Sequence, residues 1–225
     1  MKPTASPDPL AQLTEIRAIM ERSSRFLSLS GLSGVGAGVV ALLGSVVAHF
    51  YLQDHYPNGY IRLINGSAAE RQAALPFLLL LAAVVVGGAL LVAFFFTWRR
   101  TRRAGQVLWN APARRLSIAL ALPLVVGGLF CLRLYLGGDA GMVVPGMLVF
   151  YGLALLNASK YTLDEIRWLG LTQMGLGLVA MLLPGWGLIF FALGFGLGHI
   201  GYGLVMYNRY ERPEAAGASA PGTAD

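Results

Sequence analysis

The chain has few charged residues and only one cysteine. Charged residues make up 12% of its 225 positions, against roughly 25% in soluble domains. With Cys131 as the single cysteine, no intrachain disulfide and no cysteine-based zinc or iron–sulfur site can form. The shortage of charge argues against an ordinary soluble domain.

Acidic and basic residues are also missing from the centres of the apolar runs. A charge at the middle of a bilayer costs about 2.5–3.5 kcal/mol or more, and ion pumps and proton-coupled transporters usually hold a buried acid there. The absence argues against those classes and leaves no pair of groups for general acid–base chemistry. We therefore predict a protein that is not an enzyme, with no catalytic residue and no metal site.

What the sequence does have is six apolar runs near the length of about 20 residues that crosses a bilayer. Hydrophobic residues make up 56% of the chain. The fold class predicted is an all-α polytopic membrane protein with six transmembrane helices in residues 28–207. The predicted spans are approximately 28–51, 73–98, 116–136, 142–158, 168–183 and 188–207.

The two ends of the chain are predicted to lie outside the bilayer. Residues 1–27 are expected to form a cytoplasmic tail and an N-terminal amphipathic interfacial helix, because apolar residues recur there at three- and four-residue spacing. Residues 208–225 have the composition of a mostly disordered cytoplasmic tail.

Basic residues fix the predicted orientation. If the N-terminus is inside, all but three of the 17 basic residues fall on the cytoplasmic side. The positive-inside rule therefore predicts cytoplasmic N- and C-termini. The loop after the second span is expected to contact anionic lipid or a protein partner rather than nucleic acid, through Arg99, Arg100, Arg102, Arg103, Arg114 and Arg115.

The connection before the fifth predicted span has a definite pattern of polar residues. Thr162 followed by Glu165 predicts a capping box that starts the helix. Glu165 and Arg167, together with Lys160 and Asp164, predict a polar collar that pairs with Arg25 or with the loop arginines. Glu165 and Arg167 are therefore candidate partner or lipid contacts, and a plain capped helix end is the structural alternative.

Small residues mark the predicted helix-packing faces. Ser30, Gly34 and Gly38 recur at every fourth position in the first span, a spacing that lets another helix approach closely. Gly194 and Gly198 repeat it in the sixth span.

His199, near the middle of the sixth predicted span, is the polar residue that most needs an explanation. It is either a neutral histidine hydrogen-bonded across a packed interface or a cofactor ligand, with haem or quinone as the groups to consider. No cofactor is predicted. His49 lies near the outer end of the first span, at a depth that differs by roughly 15 Å at 1.5 Å per residue, which disfavours a bis-histidine haem.

Three segments carry a family resemblance. They are residues 15–34, the stretch SKYTLDEIRWLG at 159–170, and a third segment with PGWG at 184–187, GFGLGHIGYG at 194–203 and MY at 206–207. They resemble a family of bacterial (Bacteroidetes-type) six-helix integral membrane proteins with no assigned activity. The resemblance implies a multi-pass protein of the bacterial inner membrane and supplies no catalytic residues.

These observations predict a non-enzymatic inner-membrane protein that acts as a partner-binding, regulatory or structural subunit, with a protein partner or as a homo-oligomer. A small-solute transporter or channel, lined near Gln173 and His199, is the alternative. A cofactor-binding redox subunit that uses His199 is the second alternative.

Overall fold

The computed structural model describes residues 25–26, 29–105 and 107–211, and these ranges contain helices and no strand. The α-helices are α1 Gly31–His55, α2 Tyr60–Asn65, α3 Ala68–Arg103, α4 Ala111–Gly137, α5 Val143–Ala158, α6 Glu165–Leu182, α7 Gly187–Phe191 and α8 His199–Tyr210. A π-helix, Ala192–Gly198, joins α7 to α8, and short 3₁₀ turns cover Ala140–Met142, Ser159–Tyr161 and Pro184–Trp186.

Five helical segments of the described chain are long and apolar enough to cross a membrane. They are Gly31–His55, Ala68–Arg103, Ala111–Gly137, Ala140–Tyr161 and Pro184–Tyr210. Helix α6, which corresponds to the fifth predicted span, is not among them. Its 18 residues include Glu165, Arg167 and Gln173, which lower its mean hydropathy.

Local capping explains why several helices extend beyond the predicted apolar runs. Helix α3 begins at a capping box, in which the Ser67 hydroxyl accepts from the Glu70 N–H and the Glu70 carboxylate accepts from the Ser67 N–H. Asn110 caps α4 through its side-chain oxygen. Gly138, with φ 105°, ends α4 in the left-handed region that glycine adopts without strain. Polar residues therefore continue these helices beyond their apolar centres.

The segment between the first and second predicted spans contains the short helix α2. A turn precedes it, with positive φ at Asn58 and Gly59. Leu63 of α2 is buried with Leu52, Tyr56 and Ala74 in one apolar cluster. Helix α2 therefore covers the end of the bundle opposite the arginine-rich loop.

The helices form two packed groups. Helix α1 lies between α3 and α8, while α5 lies between α4 and α6, and the π-helix contacts α1 and α6. Gly31 and Gly203 bring α1 and α8 into backbone contact, since a Cβ on Gly203 would lie 2.6 Å from the Gly31 carbonyl oxygen. Most of the predicted interfacial helix and the segment after residue 211 lie outside the described residues.

Candidate functional site

The arginine-rich end of the bundle is the end where α1, α4 and α6 begin and α3 and α8 finish. Five of its arginine side chains lie on exposed positions, and within the described residues none of them has an ion-pair partner: Arg99, Arg102, Arg103, Arg114 and Arg115. Arg167 is also exposed. These are most of the residues that the sequence predicts as partner or lipid contacts.

Phe26 anchors the start of the described chain to this end. Its side chain is 5% exposed and packs in a cluster with Ala113 and Leu116 of α4. Its backbone N–H donates to the Tyr161 carbonyl at 2.7 Å, and the Thr162 hydroxyl donates to its carbonyl at 2.8 Å. Both backbone groups of Phe26 are thus bonded to the connection between α5 and α6.

The predicted capping box at Thr162 and Glu165 is wrong. Thr162 bonds the Phe26 carbonyl instead, and Asp164 precedes α6 without a side-chain capping bond. Asp164 pairs with Arg25 at 3.1 Å, as the collar predicts. The Thr162 hydroxyl, which the local pattern assigns to the start of α6, thus bonds the Phe26 carbonyl, which is distant in the sequence.

Glu165 faces α8 and is 7% exposed. Its Oε1 accepts from Arg209 and from the Tyr210 hydroxyl, both at 2.8 Å. The structure therefore places Glu165 in a contact between α6 and α8, where it pairs with Arg209. Arg167, two residues further on, stays on the surface.

Glu211 joins the end of α8 to the start of α1. Its carboxylate accepts from the Gly31 N–H and from the Ser30 hydroxyl, the latter at 3.0 Å. Arg100 donates to the same carboxylate at 3.2 Å and also to the Leu29 carbonyl. A carboxylate at a helix N-terminus satisfies unpaired N–H groups and the positive end of the dipole. Arg100 thereby holds a structural contact, unlike its exposed neighbours.

The predicted packing faces meet specific neighbours. Gly34 lies against the Cα of Gly203, and Gly38 faces the Gly196 carbonyl. Gly194 and Gly198 both face Gln173 of α6. Ser30, by contrast, uses its hydroxyl to bind Glu211.

His199 belongs to a buried polar cluster at the π-helix. Its Nε2 lies 2.6 Å from the Tyr151 hydroxyl, and its Nδ1 lies 3.3 Å from the Gly194 carbonyl. This geometry fits a neutral ring with the proton on Nδ1, so that Nδ1–H donates to Gly194 and the Tyr151 O–H donates to Nε2. Because both ring nitrogens contact protein groups, ligation of a haem iron would require one of these contacts to break.

Gln173 completes the same cluster and is fully buried. Its Nε2 donates to the Gly194 carbonyl at 2.8 Å, and its Oε1 has no hydrogen-bond partner among the described residues. A π-helix alters the i→i−4 bonding of a helix, and such segments are frequent at functional sites. The Gly194 carbonyl is therefore an acceptor shared by Gln173 of α6 and His199 of α8, and it links these two helices.

The two histidines that fall within predicted spans have different environments. His199 is buried, whereas His49 is exposed and makes an edge contact with the adjacent Phe50. Phe195 packs beside both Tyr151 and His199, with ring centroids 5.1 and 6.3 Å away. The structure thus surrounds His199 with aromatic side chains and keeps it apart from His49.

Sequence reasoning missed the Glu211 contact, the Phe26 anchor and the Tyr151–His199 hydrogen bond. The partners are 48 to 181 residues apart along the chain, so no local pattern indicates them. The only available signals were the presence of an acid directly after the last helix and of a tyrosine within a predicted span.

Comparison with protein-family models, with curated proteins and with solved structures gave no match to this chain.

Proposed function

We propose that this protein is a non-enzymatic, partner-binding subunit of the bacterial inner membrane, with six transmembrane helices and its arginine-rich end in the cytoplasm. The single observation that carries the partner site is the anchoring of Phe26 beside exposed arginines. Phe26 packs on Ala113 and Leu116, which flank Arg114 and Arg115 in the sequence. Phe26 therefore contacts the same turn of α4 that carries Arg114 and Arg115.

Charge balance supports a negatively charged partner. Among the described residues, the acids at this end are Asp164, Glu165 and Glu211, and each one already pairs with Arg25, Arg209 or Arg100. Exposed arginines suit carboxylate recognition because their planar fork can form two parallel hydrogen bonds. The exposed arginines Arg114 and Arg115 of α4 and Arg167 of α6 are together called the partner surface.

Packing supports α6 as a further transmembrane helix, which brings the five apolar segments to six spans. Its 18 residues correspond to about 27 Å at 1.5 Å per residue, close to the hydrocarbon thickness of about 30 Å. Gly170 of α6 meets Gly152 of α5, and Gly177 meets Pro145 nearer the other end of α5. Helix α6 therefore runs antiparallel to α5 through the same thickness. Six spans would leave both ends of the chain on one side, where the positive-inside rule puts the basic residues.

The buried cluster supports a packing role for His199 more than a solute path or a redox site. Gln173 is fully enclosed, and a Cβ on Gly194 would already meet Leu148 and Gln173. The polar groups of this cluster contact each other, and of the cluster's described atoms Gln173 Oε1 is the acceptor that stays unbonded.

The test is affinity purification from the native membrane after gentle solubilisation. A chain that lacks residues 1–24 keeps Arg25 and Phe26, so the anchor stays while the preceding segment is removed. We expect a stoichiometric protein partner with the full chain, and its loss with this deletion or with Arg114→Gln/Arg115→Gln. The control Arg133→Gln, an exposed arginine at the opposite end, should keep the partner. Retention of the partner by both altered chains would refute the assignment.

A further inference from the structure

The end of α3 carries more positive charge than the described structure neutralises. Arg99, Arg100, Arg102 and Arg103 occupy four of its last five positions. Glu211 is the one carboxylate among the described residues that pairs with any of them, through Arg100. A helix C-terminus contributes a partial charge of only about −0.5, so an excess of roughly two to three positive charges remains.

The uncompensated arginines border an apolar surface. A groove of about 410 Å³ is lined by Phe95, Trp98, Arg99, Arg102 and Arg103. The guanidinium carbon of Arg102 lies 5.4 Å from the centre of the Trp98 ring. Tryptophan is enriched at the headgroup level of membranes, where its apolar ring and polar edge meet both environments. The groove thus places cations on one side and aromatic rings on the other.

The remainder of α3 shows where this groove sits. The apolar window of α3 has none of its residues buried inside the protein, and Leu90, Leu91 and Phe94 are more than half exposed. In a bilayer this face contacts acyl chains, and the groove follows directly at the end of that face. An anion that reaches the groove from the bilayer would therefore bring an apolar chain with it.

We propose that Arg99, Arg102, Arg103 and Trp98 form a binding site for the phosphate-bearing headgroup of an acidic phospholipid. The arginines bind the headgroup oxygens through bidentate hydrogen bonds, and Phe95 and Trp98 contact the upper acyl chain. The site rests on the proposed insertion of α3 in the bilayer, and it is independent of the protein partner because the partner surface uses other arginines.

The test is native mass spectrometry of the full-length protein with phosphatidylglycerol or phosphatidylcholine of identical acyl chains. Wild type should retain phosphatidylglycerol preferentially. Changing Arg99, Arg102 and Arg103 together to Gln should lower that retention by about fivefold for each arginine removed. The matched control changes Arg114, Arg115 and Arg167 to Gln, which removes the same charge and should leave lipid retention unaltered while it abolishes partner binding.

Each other outcome overturns the proposal. Equal lipid loss in both triple variants would mean attraction by net charge alone. Displacement of the lipid by excess inorganic phosphate would assign the groove to a free anion. Loss of the protein partner with Arg99, Arg102 and Arg103, while lipid stays bound, would assign these arginines to the partner.

A single substitution keeps the test decisive if the triple variant fails to insert. Trp98→Leu preserves every charge and removes the ring beneath Arg102. It should lower phosphatidylglycerol retention by about two- to fivefold, the strength of an exposed cation–π contact. Unchanged retention would contradict the proposed role of Trp98 and the site with it.

Discussion

Gly152 of α5 and Gly170 of α6 pack backbone against backbone. A Cβ on Gly152 would lie 2.6 Å from the Gly170 carbonyl oxygen, and a Cβ on Gly170 would lie 2.8 Å from the Gly152 carbonyl oxygen. Both distances are far shorter than a carbon–oxygen contact allows, and the atoms met are backbone atoms that cannot rotate away. The close approach of α5 and α6 therefore depends on the absence of side chains at these two positions.

Gly152→Ala should destabilise the protein by roughly 1–3 kcal/mol through overpacking. Thermal unfolding of purified protein in detergent measures the change. Gly175→Ala is the matched control on α6, because nothing lies within 4 Å of its Cβ position. The control should be neutral or stabilise by up to about 1 kcal/mol, since alanine is the better helix former. Equal destabilisation by both changes would contradict the close contact.

The hydrogen bond between Tyr151 and His199 can be measured by a double-mutant cycle. Tyr151→Phe leaves the His199 Nε2 buried without its partner, which should cost about 1–3 kcal/mol. Combined with His199→Leu, the two changes should show a coupling of roughly 0.5–3 kcal/mol. Tyr202→Phe, a hydroxyl on α8 with no hydrogen bond recorded in the described part of the chain, should change unfolding by less than about 0.5 kcal/mol. Additive effects would exclude the bond.

Gln173→Leu should leave stability within about 1 kcal/mol of wild type. The change loses one donor to the Gly194 carbonyl, which retains His199 Nδ1, and it also removes the buried Oε1 that lacks a partner among the described residues. Gln173→Ala leaves a cavity and should cost at least about 2 kcal/mol. Unfolding in detergent compares the two. A large loss with leucine would show that Oε1 is bonded to a group outside the described contacts, such as a bound solute.

Thr162→Val tests the Phe26 anchor. The valine keeps the volume of Thr162 but leaves the Phe26 carbonyl without its donor, so a loss of roughly 1–3 kcal/mol is expected. Thr172→Val is the control, because the Thr172 hydroxyl is exposed and bonds only its own helix at the Trp168 carbonyl. Limited proteolysis should cut near Phe26 faster in the Thr162 variant alone. Identical cleavage in both variants would contradict the anchor.

Tyr60 predicts a pH dependence at the opposite end of the bundle. Burial raises the pKa of Tyr60 to about 12, and its hydroxyl has no hydrogen-bond partner within the described residues. A phenol with a raised pKa stabilises the fold below its ordinary pKa near 10 and loses that contribution as the pH rises towards 12. Tyr60→Phe should match wild type at neutral pH and unfold less readily than wild type above about pH 10. Parallel unfolding curves across this range would refute the prediction.

Apolar runs predicted the helical class and the approximate positions of the helices, because burial in lipid selects long stretches without charge. Apolar runs do not predict the contacts between residues that are distant in the sequence. The Thr162 and Glu165 pattern looked local, yet both side chains bond residues far away in sequence, Thr162 to Phe26 and Glu165 to Arg209. The π-helix Ala192–Gly198 was likewise not predicted from the sequence. Sequence patterns identified the exposed arginines, but the structure was needed to show that Arg100 differs from the others in pairing with Glu211.

The bond from Glu211 to Gly31 ties the first described helix to the residue that follows the last one. The ribosome adds Gly31, at the start of α1, 180 residues before it adds Glu211. Until synthesis is nearly over, water or lipid headgroups must therefore accept the hydrogen bonds of the first N–H groups of α1. Completion of the bundle is thus a late event in biogenesis, and a chain truncated before residue 211 would retain its spans yet lack the final closure.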